Sequence, residues 1–397
     1  LLPERQADIA VVDQDDRHIY QPGLLFVPFG MTDPQKLVRS RRRQLRSGIT
    51  YIDSSIELVD KDSNQVHLCD GTRLDYDVLI VATGAVLVPE ETEGLTGYGW
   101  MENIFTFYEL EGAIALRSKL SSFEAGNIVV NVIDLPIKCP VAPLEFCFLA
   151  DWYFTERGIR DKVNLTLVTP LDGAFTKPVA SEHLGDMLAK KRIDLVTEFN
   201  TAQVDGKLGK LVSYDGREVP FDLAVEVPVH AGAGYIGRSA GLGDPLNFVL
   251  TDEHTLQSKA SPNIFVIGDA ADIAASKAGS VAHFEGELLV DNVCRFMADE
   301  PLQADFDGHT NCFIETGFHK ALLIDFNYVT EPLPGHYPTA LGLPLLEESR
   351  LNHIGKLLFQ PFYWHGLLRG RNIPGIGARM PLTGKVSSTT ASERSMS

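Results

Sequence analysis

The sequence predicts an α/β protein: two Rossmann-like dinucleotide-binding domains with a C-terminal membrane-associating region. Three observations predict this. Short apolar strands alternate with helical runs along most of the chain, the order expected of doubly wound sheets. Two of those strands open into small-residue turns, Ala82-Thr83-Gly84 and Gly268-Asp269, which let backbone approach a bound dinucleotide. Finally, Leu351–Ser397 is aromatic and basic, with six cations against one anion, on a chain whose formal charge is −18.

In chain order, Asp8–Asp13 reads as a strand ending in an acid, the position that holds ribose hydroxyls in a nucleotide-binding unit. The glycine fingerprint expected about 20 residues earlier has no counterpart in the twelve residues before Asp13. The first strand and phosphate loop are therefore expected to be missing, with Leu1–Glu4 as the end of a helix. Gln35–Ser47 reads as a basic helix, and Asn64–Leu68 with Thr72–Leu74 as a hairpin turning at Cys69-Asp70-Gly71. Asp77–Val81 is a buried strand leading to Ala82, Thr83 and Gly84. A helix over Tyr108–Leu120, a strand over Asn127–Ile133 and a helix over Leu144–Phe154 follow. Val163–Thr169 and Asp194–Glu198 are strands around a Ser181–Lys191 helix. Lys210–Tyr214 and Glu218–Val219 form a second hairpin, turning at Asp215-Gly216, ahead of a Leu223–Val227 strand. Asn263–Ile267 ends in Gly268 and Asp269, whose carboxylate can bond the ribityl chain of a flavin. Ser276-Lys277-Ala278-Gly279-Ser280 then leads into a Val281–Met297 helix, whose first amides suit a flavin's pyrimidine edge. Gly232–Gly237 matches the dinucleotide fingerprint by letter, but loop composition follows it through Pro245, so it reads as a connecting loop.

At 397 residues the chain can bury two substantial cores. Its acidity excludes nucleic acid as a partner, since phosphate binding needs a concentrated basic face. The basic end stands apart: Leu351–Ser397 carries +5 and the remainder −23, which suits an anionic surface. Within it, His353–Gly370 is aromatic, interrupted by Pro361 and closed by Arg369 and Arg371. That pattern reads as a monotopic anchor in lipid headgroups or as core between domains. No apolar run reaches the roughly 18 residues that cross a bilayer. Five cysteines (Cys69, Cys139, Cys147, Cys294, Cys312) include no Cys-x-x-Cys pair and no zinc-spaced cluster, so no metal site is expected.

The most informative stretch is Lys138-Cys139-Pro140-Val141-Ala142-Pro143-Leu144-Glu145. It stands at the strand–turn–helix corner where a pyridine nucleotide would require glycines. Cys139 precedes a helix N-terminus and follows Lys138, both of which favour a thiolate, the nucleophile of sulfur exchange. Cys312 lies in the strand-like Asn311–Gly317. Cys147 and Cys294 sit in apolar helices as small buried hydrophobes, and Cys69 at a hairpin tip. Glu145 reads either as a first-turn acid favoured by the helix dipole or as a proton-handling group. Lys277 and His283 have solvated or capping roles as alternatives to flavin or quinone contact. His309 and His319 are candidate proton carriers.

With the cysteine corner, the Ala-Thr-Gly and Gly-Asp turns and Asn311-Cys312-Phe-Ile-Glu-Thr-Gly317, the chain from Asp8 to about Lys385 resembles the sulfide:quinone oxidoreductases of the flavin disulfide-reductase superfamily. That resemblance implies FAD as cofactor, bound through Asp13, Ala82, Thr83, Gly84, Gly268, Asp269, Lys277 and Gly279. It implies that Cys139 and Cys312 flank the flavin and handle sulfur, and that Glu145 is the family's carboxylate six residues after the first cysteine. A further upstream cysteine of several members has no counterpart between Ile104 and Ile137. The implied activity oxidises sulfide, or another small sulfur species, to polysulfide or sulfur and passes electrons through flavin to a membrane quinone. The implied setting is a peripheral protein on the cytoplasmic face of a prokaryotic inner membrane, docked through its C-terminal region on anionic lipid, with a homo-oligomer left open. The corresponding domains are FAD-binding over 1–105 and 225–310, a second Rossmann-like unit over 106–224, a quinone and membrane region over 311–385, and a disordered tail over 386–397. Two alternatives stand: a type II NADH:quinone oxidoreductase, which would need glycines across Ile133–Cys139, and a non-catalytic, flavin-poor paralogue.

Overall fold

The computed structural model describes residues 7–370 and 377–386. The expectations for Leu1–Glu4, Arg371 and the tail beyond Val386 lie outside the described residues.

At the centre is a five-stranded parallel sheet in the order Ile104–Phe105, Leu223–Val227, Gly126–Val132, Val163–Val168, Ile193–Val196. Its strands are short runs rich in Val, Ile and Leu, as strands buried on both faces should be, and Leu223–Val227 is buried throughout. Helices α1 (Leu110–Ser122), α2 (Ala142–Glu156) and α3 (Pro178–Lys190) connect the strands. The α2 helix is apolar on nearly every side because it is covered on nearly every side. It packs on the Gly126–Val132 and Val163–Val168 strands and on an antiparallel pair formed by Thr310–Gly317 and Lys320–Phe326. Eleven of its fifteen residues are buried, including Phe146, Phe148 and Phe154. Each such aromatic contributes roughly 1.5–3 kcal/mol of burial.

The first nucleotide-binding unit is less continuous. Ala10–Asp13 pairs in parallel with Thr50–Asp53, and Leu79–Val81 pairs in parallel with Ile264–Val266. Among the described residues these two pairs are not hydrogen-bonded to each other. Ile80 is 44 % exposed, unusual for a parallel strand. Three-stranded antiparallel insertions interrupt both units, at Ile56–Asp60, Gln65–Leu68, Arg73–Asp75 and at Thr201–Asp205, Lys210–Ser213, Glu218–Pro220. The chain then forms the short α4 (Gly234–Arg238), the long α5 (Gly279–Met297) and, on the back of the terminal antiparallel pair, α6 (Arg350–His365).

Two sequence expectations are corrected here. Gln35–Ser47 is not a helix: it is a 3-10 turn, Pro34–Leu37, a strand, Val38–Ser40, and a second 3-10 turn, Arg42–Gln44. In a helix Arg39, Arg42, Arg43 and Arg46 would share one face and repel. Instead Val38–Ser40 pairs with Arg17–Ile19, and Asp16 accepts from the Arg42 amide at 2.7 Å. The glycine-rich Gly232–Gly237 segment does enter a helix, α4, rather than a plain loop. Its preceding strand, His230–Gly232, runs antiparallel to Ala85–Leu87, so no βαβ unit forms.

Truncating Phe154, which is fully buried on α2, should cost about 3–5 kcal/mol as Phe154→Ala, read as a lower urea midpoint with an unchanged slope.

Candidate functional site

The cysteine corner is held by hydrogen bonds to three elements. Cys139 adopts φ +50°, a left-handed conformation that costs a non-glycine residue on the order of 1–3 kcal/mol. Its amide donates to Lys277 O at 2.6 Å, and its carbonyl accepts from Ala142 N at 2.9 Å and Tyr108 Oη at 3.2 Å. The bond to Lys277 places the corner against the segment that precedes α5. Lys277 is not solvated, as one sequence reading had it: it is 8 % exposed. Its Nζ donates to Asp269 O at 2.8 Å and Ala271 O at 2.9 Å and lies 3.9 Å from the Phe248 ring centre. Burial raises the Asp269 carboxyl above its usual range, opposed by Lys277 and Lys138.

Parallel pairing of Leu79–Val81 with Ile264–Val266 brings Ala82, Thr83 and Gly84 beside Gly268 and Asp269. Thr83 Oγ1 is 3.2 Å from Tyr235 Oη of α4. Gly84 and Gly268 take φ of +68° and +71°, and a side chain built at Gly84 or Gly279 would meet nothing within 4 Å. Ala278 gives α5 no side-chain cap, and His283 Nε2 in its second turn is buried without a partner. An open two-glycine cradle, an uncapped helix N-terminus, an orphaned ring nitrogen and a half-buried carboxylate, Asp269, fit the flavin end of FAD. Asp13 sits at the end of its own strand, with its carboxylate taken by Arg41 Nε at 2.8 Å and Gln14 N at 2.8 Å.

Cys312 reaches the site from the strand packed on α2. Both it and Cys139 are free thiols. Burial works against the thiolate that Lys138 and a helix terminus would favour at Cys139. Burial, reinforced by Glu145, pushes its pKa up to about 12. Burial disfavours charge on Lys138, with Asp269 and Glu109 opposing, and the cation that lowers Cys139 is Lys356 of α6. Burial also raises Cys312, with Cys139 and Glu145 adding and Lys356 opposing. The two thiols therefore sense each other and the same ion pair.

That pair is Glu145 with Lys356. Glu145 is the acid in the first turn of α2, as expected, but it is buried there, 1 % exposed. Its Oε1 accepts from Lys356 Nζ and, at 2.7 Å, from the Glu315 amide, while Lys356 also donates to Phe313 O at 3.1 Å. Burial raises the Glu145 carboxyl and Lys356 opposes the rise. Burial disfavours charge on Lys356, but Glu145 and Glu315 outweigh it and the ammonium is held. Sequence reasoning missed Lys356 and Glu315. The available signal was that Lys356 is the only Lys, Arg, Asp or Glu between Leu351 and Leu368, and a lone charge in an apolar helix is usually paired.

His309 does not serve as a mobile base. Its Nε2 bonds Asp325 at 2.8 Å, its Nδ1 bonds Gly377 O at 3.0 Å, and Phe284 stacks on it at 4.0 Å. His319 is exposed at the turn after Gly317. Where a pyridine nucleotide would lie beyond Gly126–Val132, an apolar cavity of about 20 Å³ is lined by Val132, Leu135, Pro143, Leu167 and Phe175. Small-molecule sites run to roughly 300–1,000 Å³, so this one is closed. Among the described residues no His, Cys, Asp and Glu cluster could hold a metal ion.

No family model matches the chain. Over 376 residues it is 27 % identical to the mitochondrial sulfide:quinone oxidoreductase of Dictyostelium discoideum, covering 93 % of this chain and 81 % of the relative. The chain is similar to the sulfide:quinone oxidoreductases. The crystal structure of that enzyme from Aquifex aeolicus superposes with a TM-score of 0.76 at 20 % identity, covering 92 % of this chain and 86 % of that one. A chain of the Tetrahymena thermophila mitochondrial ATP synthase superposes with a TM-score of 0.75 at 16 % identity, covering 92 % and 90 %. These structures share its fold: the expected α/β architecture is the one observed.

Iodoacetamide alkylation of Cys139 should rise about tenfold per pH unit up to pH 11, because only the thiolate reacts and its pKa stands near 12. Lys356→Met removes the charge that lowers that pKa and should slow the reaction at every pH, followed by mass spectrometry. A plateau near neutral pH would contradict the burial argument.

Proposed function

We propose that this chain is an FAD-dependent, sulfide:quinone oxidoreductase-type enzyme lying on a membrane surface. The observation that carries the reading is the meeting of Cys139 and Cys312 at one buried ion pair, beside the Gly84–Asp269–Lys277–Gly279 cradle. FAD, when bound, supplies a two-electron carrier between thiol and quinone. Ala82, Thr83, Gly84, Gly268, Asp269, Lys277 and Gly279 would hold its flavin end and Asp13 its ribose. On this reading 1–105 with 225–310 forms the FAD-binding domain, 106–224 carries the cysteine corner, and 311–385 forms the quinone and membrane face.

Sulfide enters as HS⁻ and attacks a Cys139–Cys312 disulfide. One S–S bond breaks and one forms, leaving a persulfide on one cysteine and a thiolate on the other. Lys356 favours the released thiolate at Cys139, and Glu145, whose carboxyl holds a proton more readily than usual, exchanges protons with it. A type II NADH dehydrogenase reading is disfavoured by the closed, 20 Å³ apolar cavity at the pyridine-nucleotide position.

Two surface features support a membrane address. On α6, Leu351, Ile354, Leu357, Leu358 and Phe362 are 53, 51, 48, 60 and 37 % exposed along one face, as in an interfacial amphipathic helix. Beside it, residues 34–52 hold six cations and no acid. Arg39 stacks 4.3 Å from the Trp364 ring centre and Arg46 donates to Arg369 O at 2.9 Å, tying this segment to the end of α6. Each such cation adds about 1 kcal/mol at an anionic leaflet. No helix among the described residues is long and apolar enough to cross a membrane. We assign the protein peripherally to an inner membrane, on the cytoplasmic face in a prokaryote.

A second reading, a non-catalytic subunit of the same fold, is favoured by the two unjoined strand pairs of the first unit. The visible spectrum of the purified protein separates the two: oxidised-flavin bands that bleach with sulfide and not with NADH support the enzyme. Cys139→Ser should abolish bleaching, and a colourless protein would move the assignment to the subunit. In flotation assays Leu358→Glu should lose binding to all vesicles. A combined Arg39→Gln, Arg43→Gln and Arg46→Gln variant should lose only the preference for anionic phospholipid.

A further inference from the structure

Both thiols of the site are part-buried, and the charged groups that act on them lie deeper in the protein. Glu145 and Lys356 are the charged groups that act on both. Neither opens to solvent: their side chains are 2 % and 12 % exposed. The charges continue away from the cysteines in one direction. Lys356 lies between Glu145 and Glu315, and both carboxylates hold its proton. Glu315, 1 % exposed, meets His353 Nδ1 with both oxygens, at 2.9 and 3.0 Å. The His353 ring lies edge-on to His319, with centroids 5.6 Å apart, and His319 is exposed on the turn between Gly317 and Lys320.

We propose that Glu315, His353 and His319 form the proton path between the Glu145–Lys356 pair at the cysteines and bulk solvent. The proposal rests on the function assigned above. Each member takes one proton as it passes one on, so the path carries protons without a net change of charge. Its need follows from the overall chemistry. Oxidising HS⁻ to the sulfur level releases one proton and two electrons, and reducing a quinone takes up two protons.

The groups around His353 leave one route. The Thr310–Gly317 strand contributes Glu315, the turn contributes His319 and, at its far end, the exposed Lys320. The Leu343–Leu345 strand contributes no charge, and on α6 itself Lys356 and the exposed Arg350 each lie one turn away, Arg350 on the solvent side. The buried Asp325 of the neighbouring strand is already engaged by His309 and Lys385. A Glu315–His353 pair that served only to fasten α6 would leave the kinetics of proton transfer untouched, which makes the two roles separable.

The test compares wild type with His353→Gln and, should that variant fold poorly, Glu315→Gln, each carrying flavin and checked by thermal melting. Turnover with sulfide and a soluble quinone should fall about tenfold to a hundredfold in either variant. Added imidazole should restore it in His353→Gln, and the variant's pH profile should become buffer-dependent. A folded variant with wild-type turnover and pH profile would overturn the path. If wild type itself is not turned over by sulfide, the function assigned above fails. The path is then judged on a second measurement that needs neither sulfide nor quinone. The pH dependence of Cys139 alkylation should shift in Glu315→Gln, since Glu315 helps hold the Lys356 charge that acts on Cys139. No shift would overturn the coupling.

Discussion

The buried Glu145–Lys356 ion pair is the interaction on which the rest of the site depends. It joins three elements distant in sequence: the first turn of α2, the Thr310–Gly317 strand and the middle of α6. Removing one partner of such a pair strands a buried charge and costs about 3–5 kcal/mol. The pair therefore fixes α6 on the antiparallel strands. It also sets the local field in which Cys139 and Cys312 titrate. Because α6 carries an exposed apolar stripe on its other face, one helix width separates that stripe from the ion pair.

Burial governs the chemistry more than local sequence does. A cysteine before a helix N-terminus beside a lysine would ordinarily be a thiolate. Here the corner is packed between α2, Tyr108 and the Lys277 segment, and desolvation outweighs those neighbours. Reactivity then has to be conferred by a charge from elsewhere in the fold. Lys356 supplies that charge, and the carboxylates around it keep it protonated. The same compactness leaves only a small cavity, lined by Leu135, Pro143 and Phe175 among others, beside the Gly126–Val132 strand.

How much of this was legible in the sequence follows from the range of the forces involved. The strands and helices of the second unit were visible in the spacing of apolar residues, and the hairpins in Asp70-Gly71 and Asp215-Gly216. The basic segment 35–47 was misjudged because its cations alone suggested an exposed helix. Pairing with Arg17–Ile19 and the Asp16 carboxylate, both non-local, decided otherwise. Thr201–Asp205 was missed as a strand because its alternation is short and weak, with only Ala202 and Val204 apolar, and its partner across the ladder orders it. His309 looked mobile by its place near Cys312, whereas Asp325 and the Gly377 carbonyl occupy both its nitrogens.

The sequence by itself determined the α/β architecture, the cysteine corner, the small-residue turns and the aromatic, basic end of the chain. Each is a local pattern, written within a few residues and read by periodicity or turn chemistry. Only the tertiary structure decided which charges face the thiols. Glu145 and Lys356 stand 211 positions apart, and no local rule connects them. Packing α6 against α2 across the intervening strand brings them together, because two opposite charges withdrawn from water are stable only when paired.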